Sequence, residues 1–504
     1  MSSNDPLEAL RFYTQNDIVF LTGGTGFMGK VILEKILRSL PMVQKIYMLV
    51  RASSKAAAYD RLEREVFGCR IFETLKAQIS NDKTRFEDLK RKVVPILGDL
   101  TLDGLGISSD DLEAIKKDTR VFLHCAASVK FDDPLRVALE LNTLGTLRTL
   151  EVAHRMKRLQ AFVHLSTSYV NAHLKSMNIE EKIYQLPFGD PEAFFCKLNE
   201  MSDQELSVFE RDVILKMYPS TYKFSKSLAE HLMQNRCQSS RLPLIIVRVP
   251  VVGGALIEPV PGWCEGISGA VAVMVSCALG AVQEWYGDET KALDVIPVDV
   301  AVKTILMAGP ALVSKASELI ISPDTVPVIQ MGTGAHCPLN LGYLFCHWES
   351  YWQQQPQLKR RLTNDIRADF YSISDFPRRY QQRFKREIDL AKASKEGAEK
   401  YGKLLRRAER LPKLYLPFTC YEWSFDATNG LWLDDVAPTE LHSGIRTQID
   451  WHKYLHNFNI GVHDYILGEE VDRTKEIHYQ WRILHKNFRA PEREISDSLV
   501  HSRL

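Results

Sequence analysis

Five apolar runs mark the first part of the chain, and each ends in small or polar residues. Ile18-Val19-Phe20-Leu21 runs into a glycine cluster, Lys45–Val50 into Arg51, and Val93–Leu97 into Gly98-Asp99-Leu100. Val121–His124 leads to Cys125-Ala126-Ala127, and Phe162–Leu165 to Ser166-Thr167-Ser168-Tyr169. Unbroken rather than alternating apolar runs predict strands buried on both faces, as in a parallel sheet. Lys30–Leu37 and Ser220–Met233 carry helical spacing instead. The pattern predicts an α/β fold with a doubly wound parallel sheet over residues 1–300. Within it, an insertion at 172–217 is expected to cover the substrate entrance. A connecting region (301–350), a mainly helical C-terminal domain (351–490) and a polar tail (491–504) follow.

Composition narrows this only modestly. The 504 residues are 45% hydrophobic and 25% charged with a net charge of +1, ordinary for a globular chain and no reason to expect nucleic acid. The nine cysteines are scattered without metal-ligand spacing, so no metal is expected and the thiols should be reduced. The uncharged run Ile267–Val282 is short of the roughly 20 residues of a spanning helix and predicts a buried helix beside the site, compatible with a wall for a fatty chain.

The chemistry lies at the strand ends. Thr22-Gly23-Gly24-Thr25-Gly26-Phe27-Met28-Gly29 joins the first strand to a helix, the context of a dinucleotide turn. Gly23 permits the tight turn, Gly26 lets backbone amides approach a pyrophosphate, and Gly29 lets helix and strand close up. Arg51 stands where an acidic residue would meet a ribose hydroxyl, so a 2′-phosphate and NADPH are expected; a solvent-facing arginine is the alternative. Asp99 and Leu100 are placed near the adenine, and Ala126 leaves room for the dinucleotide. Farther on, Tyr222 and Lys226 share one helix face at i, i+4. The lysine charge is expected to lower the phenol pKa, and the Thr167 hydroxyl to add a bond to a reacting oxygen.

These motifs resemble those of the extended short-chain dehydrogenases/reductases, whose nucleotide domain is of the Rossmann type. Three further segments make the chain similar to the eukaryotic fatty acyl-CoA reductases: Glu258-Pro-Val-Pro-Gly-Trp263, Asp294-Val-Ile-Pro-Val-Asp299, and Ile449-Asp-Trp451 near Tyr454. The resemblance spans roughly residues 15–470. It implies reduction of a long-chain acyl-CoA by two NADPH to a primary alcohol, with Tyr222 and Thr167 at the carbonyl and Lys226 also on the nicotinamide ribose. Arg248-Val-Pro and the stretch Cys337–Glu349 depart from the family pattern. A sugar-nucleotide or sterol enzyme of the wider superfamily, or an NADP(H)-sensing scaffold, are the alternatives. A basic run from Arg378 to Lys413 suggests contact with coenzyme A phosphates or peripheral contact with a membrane surface; a solvated helix pair would look the same. Ser502-Arg503-Leu504 has the form of a peroxisomal address for an import receptor.

Overall fold

The computed structural model describes residues 12–479 except 14–16, 175–176, 241, 314–324, 356–357, 359–360, 362, 364, 447–448, 470 and 472–476. Ser502, Arg503 and Leu504 lie outside the described residues, as does the whole of the expected polar tail. Seven strands form the main sheet: β1 (Ile18–Thr22), β2 (Lys45–Val50), β3 (Val93–Leu97), β4 (Val121–His124), β5 (Ala161–Thr167), β6 (Leu244–Val249) and β7 (Val328–Gln330). All pairs are parallel, in the order β7-β6-β5-β4-β1-β2-β3. The order reverses between β1 and β4. Connections leave there in opposite directions, opening a crevice beyond the strand ends.

Both sheet faces are buried, which explains the unbroken apolar runs. Val19 and Leu21 face one core, while Phe20, Phe122 and Phe162 face the other in a row of rings with centroids 4.7 and 4.6 Å apart. The principal helices are α1 (Phe27–Ser39), α2 (Gly145–His154), α3 (Thr221–Ser240), α4 (Gly269–Ala278), α5 (Val298–Val313), α6 (Leu341–Gln353), α7 (Lys395–Cys420) and α8 (Trp451–Gly461).

The sequence pattern ends the sheet domain at residue 300, and here the structure differs. Helix α5 packs across β5 and β6, and the chain returns as β7 at the sheet edge. The nucleotide fold therefore extends through Gln330, inside the region read as a connection. β7 is only three residues long, too short for its period to stand out from flanking loop.

The insertion forms short helices at Pro191–Glu200 and Asp203–Phe209. Phe194, Phe195, Leu198 and Leu206 pack against Phe224, Leu228 and Leu232 of α3. The run Ile267–Val282 becomes α4, largely buried with α6 and α8. Among the described residues, no helix is long and apolar enough to cross a membrane. Part of the basic run is charge-matched: Arg383 pairs with Glu284 at 2.9 Å, Lys413 with Glu409 at 2.6 Å, Arg378 with Asp375 at 3.2 Å, and Arg410 with Asp132.

Candidate active site

The glycine turn is built for close backbone approach. Gly23 has φ 75°, and a Cβ there would lie 2.7 Å from the Ala126 amide nitrogen. A Cβ on Gly29 would stand 2.1 Å from the Gly23 carbonyl, so only glycine lets α1 sit this close. Gly26 caps α1 without any side-chain acceptor, and no acidic residue occupies the first turn. The first amides of α1 and the positive end of its dipole are therefore left for an anion. This cradle fits the pyrophosphate of a dinucleotide.

The other cofactor residues divide into two kinds. Arg51, at the end of β2, has a side chain 70% exposed and lies 4.0 Å from Asp99 at the end of β3. Asp99 also accepts from the Thr101 amide and hydroxyl. Ala126 is partly open beside Gly23. Thr22, by contrast, is fully buried, its Oγ1 2.7 Å from His124 Nδ1 and accepting from the Ala126 amide at 3.3 Å. Its side chain ties β1 to β4 rather than presenting itself to a ligand. Leu100 is likewise packed into the core, and Phe27 stacks on Trp263 at 5.3 Å while Met28 packs against the core.

At the centre, α3 places Tyr222 and Lys226 as their spacing predicts, yet the electrostatics differ from expectation. The Lys226 ammonium donates to the Leu165 carbonyl at 2.8 Å and lies 3.0 Å from His164 Nε2. Burial pushes its pKa down to about 8, with Glu230 and Cys125 opposing. The Tyr222 phenol is shifted upward, by burial. The expected lowering by Lys226 is thus corrected: desolvation dominates because the ammonium is turned toward β5. A phenol kept protonated at neutral pH is the form that gives a proton to a carbonyl oxygen.

Thr167 is 5% exposed; its hydroxyl donates to the Val249 carbonyl at 3.2 Å and accepts from the Tyr169 amide at 3.3 Å. Bonding a reacting oxygen would require that hydrogen to turn away from Val249. Asn142 links the loop after β4 to α3, donating to the Ser128 carbonyl at 3.0 Å and meeting Ser225 Oγ at 3.1 Å.

Sequence reading missed His124 and His164. They lie side by side in register on β4 and β5, with ring centroids 5.2 Å apart. Burial keeps both neutral, lowering His124 to about 3 and His164 well below its ordinary value. His164 can therefore accept from Lys226, while His124 reaches Thr22 at the glycine turn. The available signal was a polar imidazole ending an otherwise apolar run in one strand and interrupting it in the other.

One ring away from the tyrosine, across Phe131, lies an apolar cavity between the sheet and the C-terminal helices. Its wall joins Val251, Leu293 and Val295 to Trp348 of α6, Phe418 of α7 and Phe458 of α8. Two tyrosines in the wall have their hydroxyls occupied elsewhere: Tyr415 donates to the Gly269 carbonyl at 2.9 Å and Tyr454 to the Gly254 carbonyl at 3.1 Å. Phe131 bridges site and cavity, stacking on Tyr222 at 5.7 Å and lying 5.9 Å from both Tyr415 and Phe418.

Comparison with known proteins bears on this geometry. The sequence model of the family described as "Male sterility protein" matches residues 21–305. The chain is 30% identical over 483 residues to "Fatty acyl-CoA reductase 1" of Xenopus laevis, covering 91% of this chain and 86% of the relative. It is 30% identical over 492 residues to "Probable fatty acyl-CoA reductase 5" of Arabidopsis thaliana, covering 89% and 97%. Among solved structures, the reductase domain of a nonribosomal peptide synthetase from Mycobacterium tuberculosis superposes with TM-score 0.55 at 17% identity, covering 92% of this chain and 96% of that one. At that identity the likeness is one of fold.

Proposed function

The chain belongs to the fatty acyl-CoA reductase family, and from that premise we propose that it reduces a long-chain acyl-CoA to a primary fatty alcohol with two NADPH, releasing coenzyme A. The observation that carries the acyl substrate is the apolar cavity one ring away from Tyr222. A sugar nucleotide would find almost no hydrogen-bond partners on such a wall.

The bound nicotinamide cofactor supplies a hydride for each of the two reductions. The backbone of Gly23–Gly29 and the start of α1 hold its pyrophosphate. Arg51, exposed at the end of β2, supports the choice of the 2′-phosphorylated form. In the first reduction the thioester carbon gains hydride, and Tyr222 donates its proton to the developing alkoxide. The resulting hemithioacetal breaks its carbon–sulfur bond, giving aldehyde and thiol. Before the second, Tyr222 regains a proton from solvent; the aldehyde carbon then gains hydride and its oxygen takes that proton from Tyr222. Lys226, as the ammonium, donates toward the cofactor ribose and is held in place by Leu165 and His164. The apolar wall excludes water around the carbonyl, strengthening the Tyr222 hydrogen bond.

The test is NADPH oxidation by the purified protein over acyl-CoAs from six to twenty-four carbons, with product identified by mass spectrometry. Consumption of two NADPH per alcohol is expected for long chains. Absence of oxidation at every length would sink the reading.

A further inference from the structure

Lys223, the residue after the tyrosine, has no task in the reduction just described. It is 1% exposed, and among the described residues no carboxylate pairs with it. Its Nζ lies 4.0 Å from the ring centroid of Phe418, 5.3 Å from that of Phe131 and 5.4 Å from that of Tyr169. Burial pushes its pKa down to about 7. An ammonium taken from water without a counter-ion costs several kcal/mol, and a desolvated ring face returns about 2 kcal/mol. A lysine that served only to cover apolar surface would extend its head to water. This head stops among rings contributed by the loop after β4, the turn after β5 and helix α7.

Two of those rings stand between the tyrosine and the cavity. Phe131 stacks on Tyr222 and touches Phe418, and Phe418 lines the cavity. A chain running from a carbonyl at Tyr222 into the cavity must pass them. We propose that Lys223 gathers Phe131, Tyr169 and Phe418 into an aromatic collar at the cavity mouth, a positioning device that sets how deep the acyl chain threads and so favours long chains. The proposal rests on the acyl-CoA reading above. A long chain fills the collar and fixes its carbonyl before the phenol, so that binding energy from remote methylenes orients the reacting carbon. A short chain ends near the collar and gains little from it.

Lys223→Met removes the charge at nearly constant volume, and removing an unpaired buried charge should not unfold the protein. Wild type and variant are compared on stearoyl-CoA and hexanoyl-CoA with NADPH, with cofactor binding followed by nicotinamide fluorescence. The expected result is about a tenfold fall in the ratio of kcat/KM for the long chain over the short one, with NADPH affinity retained. Phe418→Leu keeps the lysine, is made separately and should lower the same ratio. The double variant should fall no further than the worse single, because both act on one collar. An unchanged ratio, an equal loss at both chain lengths, or additive effects would overturn the proposal. Failure of the wild type to oxidise NADPH with either substrate would instead overturn the acyl-CoA reading.

Discussion

The cations behind the glycine turn and those around Tyr222 are both buried, and the protein treats them in opposite ways. Behind the glycine turn, Glu258 meets Lys35 at 3.1 Å, Arg38 at 2.6 Å and also Lys303, while Glu34 holds Arg38 at 2.7 Å. Burial opposes the Glu258 charge, but Lys303, Lys35 and Arg38 prevail and hold its carboxyl down to about 2. Around Tyr222, Lys223 and Lys226 are equally buried but rest on rings, a carbonyl and a neutral imidazole. Matched charges join α1 to the segment 258–263 and hold the phosphate cradle. The segment most telling of the family, Glu258–Trp263, thus supports the cofactor turn, with Trp263 stacked on Phe27.

That contrast predicts which side of the protein fails when each charge or donor is removed. The largest effect belongs to Tyr222→Phe, which should lower kcat by roughly 10²–10⁴-fold while NADPH still binds, as read by cofactor fluorescence. Glu258→Gln should do the reverse. It strands Lys35 and Lys303, leaves Arg38 with Glu34 alone, and should cost about 3–5 kcal/mol in denaturant unfolding, with Tyr222 chemistry intact in the fraction that stays folded. The sign with pH follows from the lowered pKa: this stabilisation is present above about 4.5 and lost as pH falls toward about 2. A stability profile flat across that window would break the comparison on the matched side.

Smaller effects sharpen the unmatched side. Lys226 loses its ammonium as pH rises through about 8, so kcat/KM should fall above that value. The groups facing it are His164, His124, Cys125 and Glu230. His164→Phe removes the acceptor that favours the charged form and should move this limb down by about one pH unit, given about 1.5 kcal/mol for a charged hydrogen bond. An unmoved limb would deny His164 its part in holding Lys226. The smallest change is expected at Arg51, whose exposure limits its worth: Arg51→Glu should raise KM for NADPH about fivefold to tenfold and narrow the preference over NADH.

Legibility in the sequence followed local physics. The first five strands stood out because each is an unbroken apolar run, and the glycine turn because three glycines at fixed spacing flank a strand and a helix. β7 escaped notice because an edge strand of three residues carries almost no periodicity. Tyr222 and Lys226 were legible as a pair at i, i+4. Their mutual electrostatics were not, since spacing places two side chains on one face without saying toward which neighbour each head turns. His164 and His124 were invisible as a pair because 40 residues separate two positions that sheet register makes adjacent. Thr22 opens the turn motif, yet the register with β4 turns its hydroxyl inward to His124, which the motif alone does not reveal.

The sequence by itself determined the layered fold, the glycine turn and the pairing of Tyr222 with Lys226 on one helix face, because each is written in residues close along the chain. The acyl cavity, the collar around Lys223 and the ionisation of Tyr222 were decided only by the tertiary structure. Each arises where the sheet crevice, α7 and α8 meet, and the water excluded there sets the cost of charge that no local pattern records.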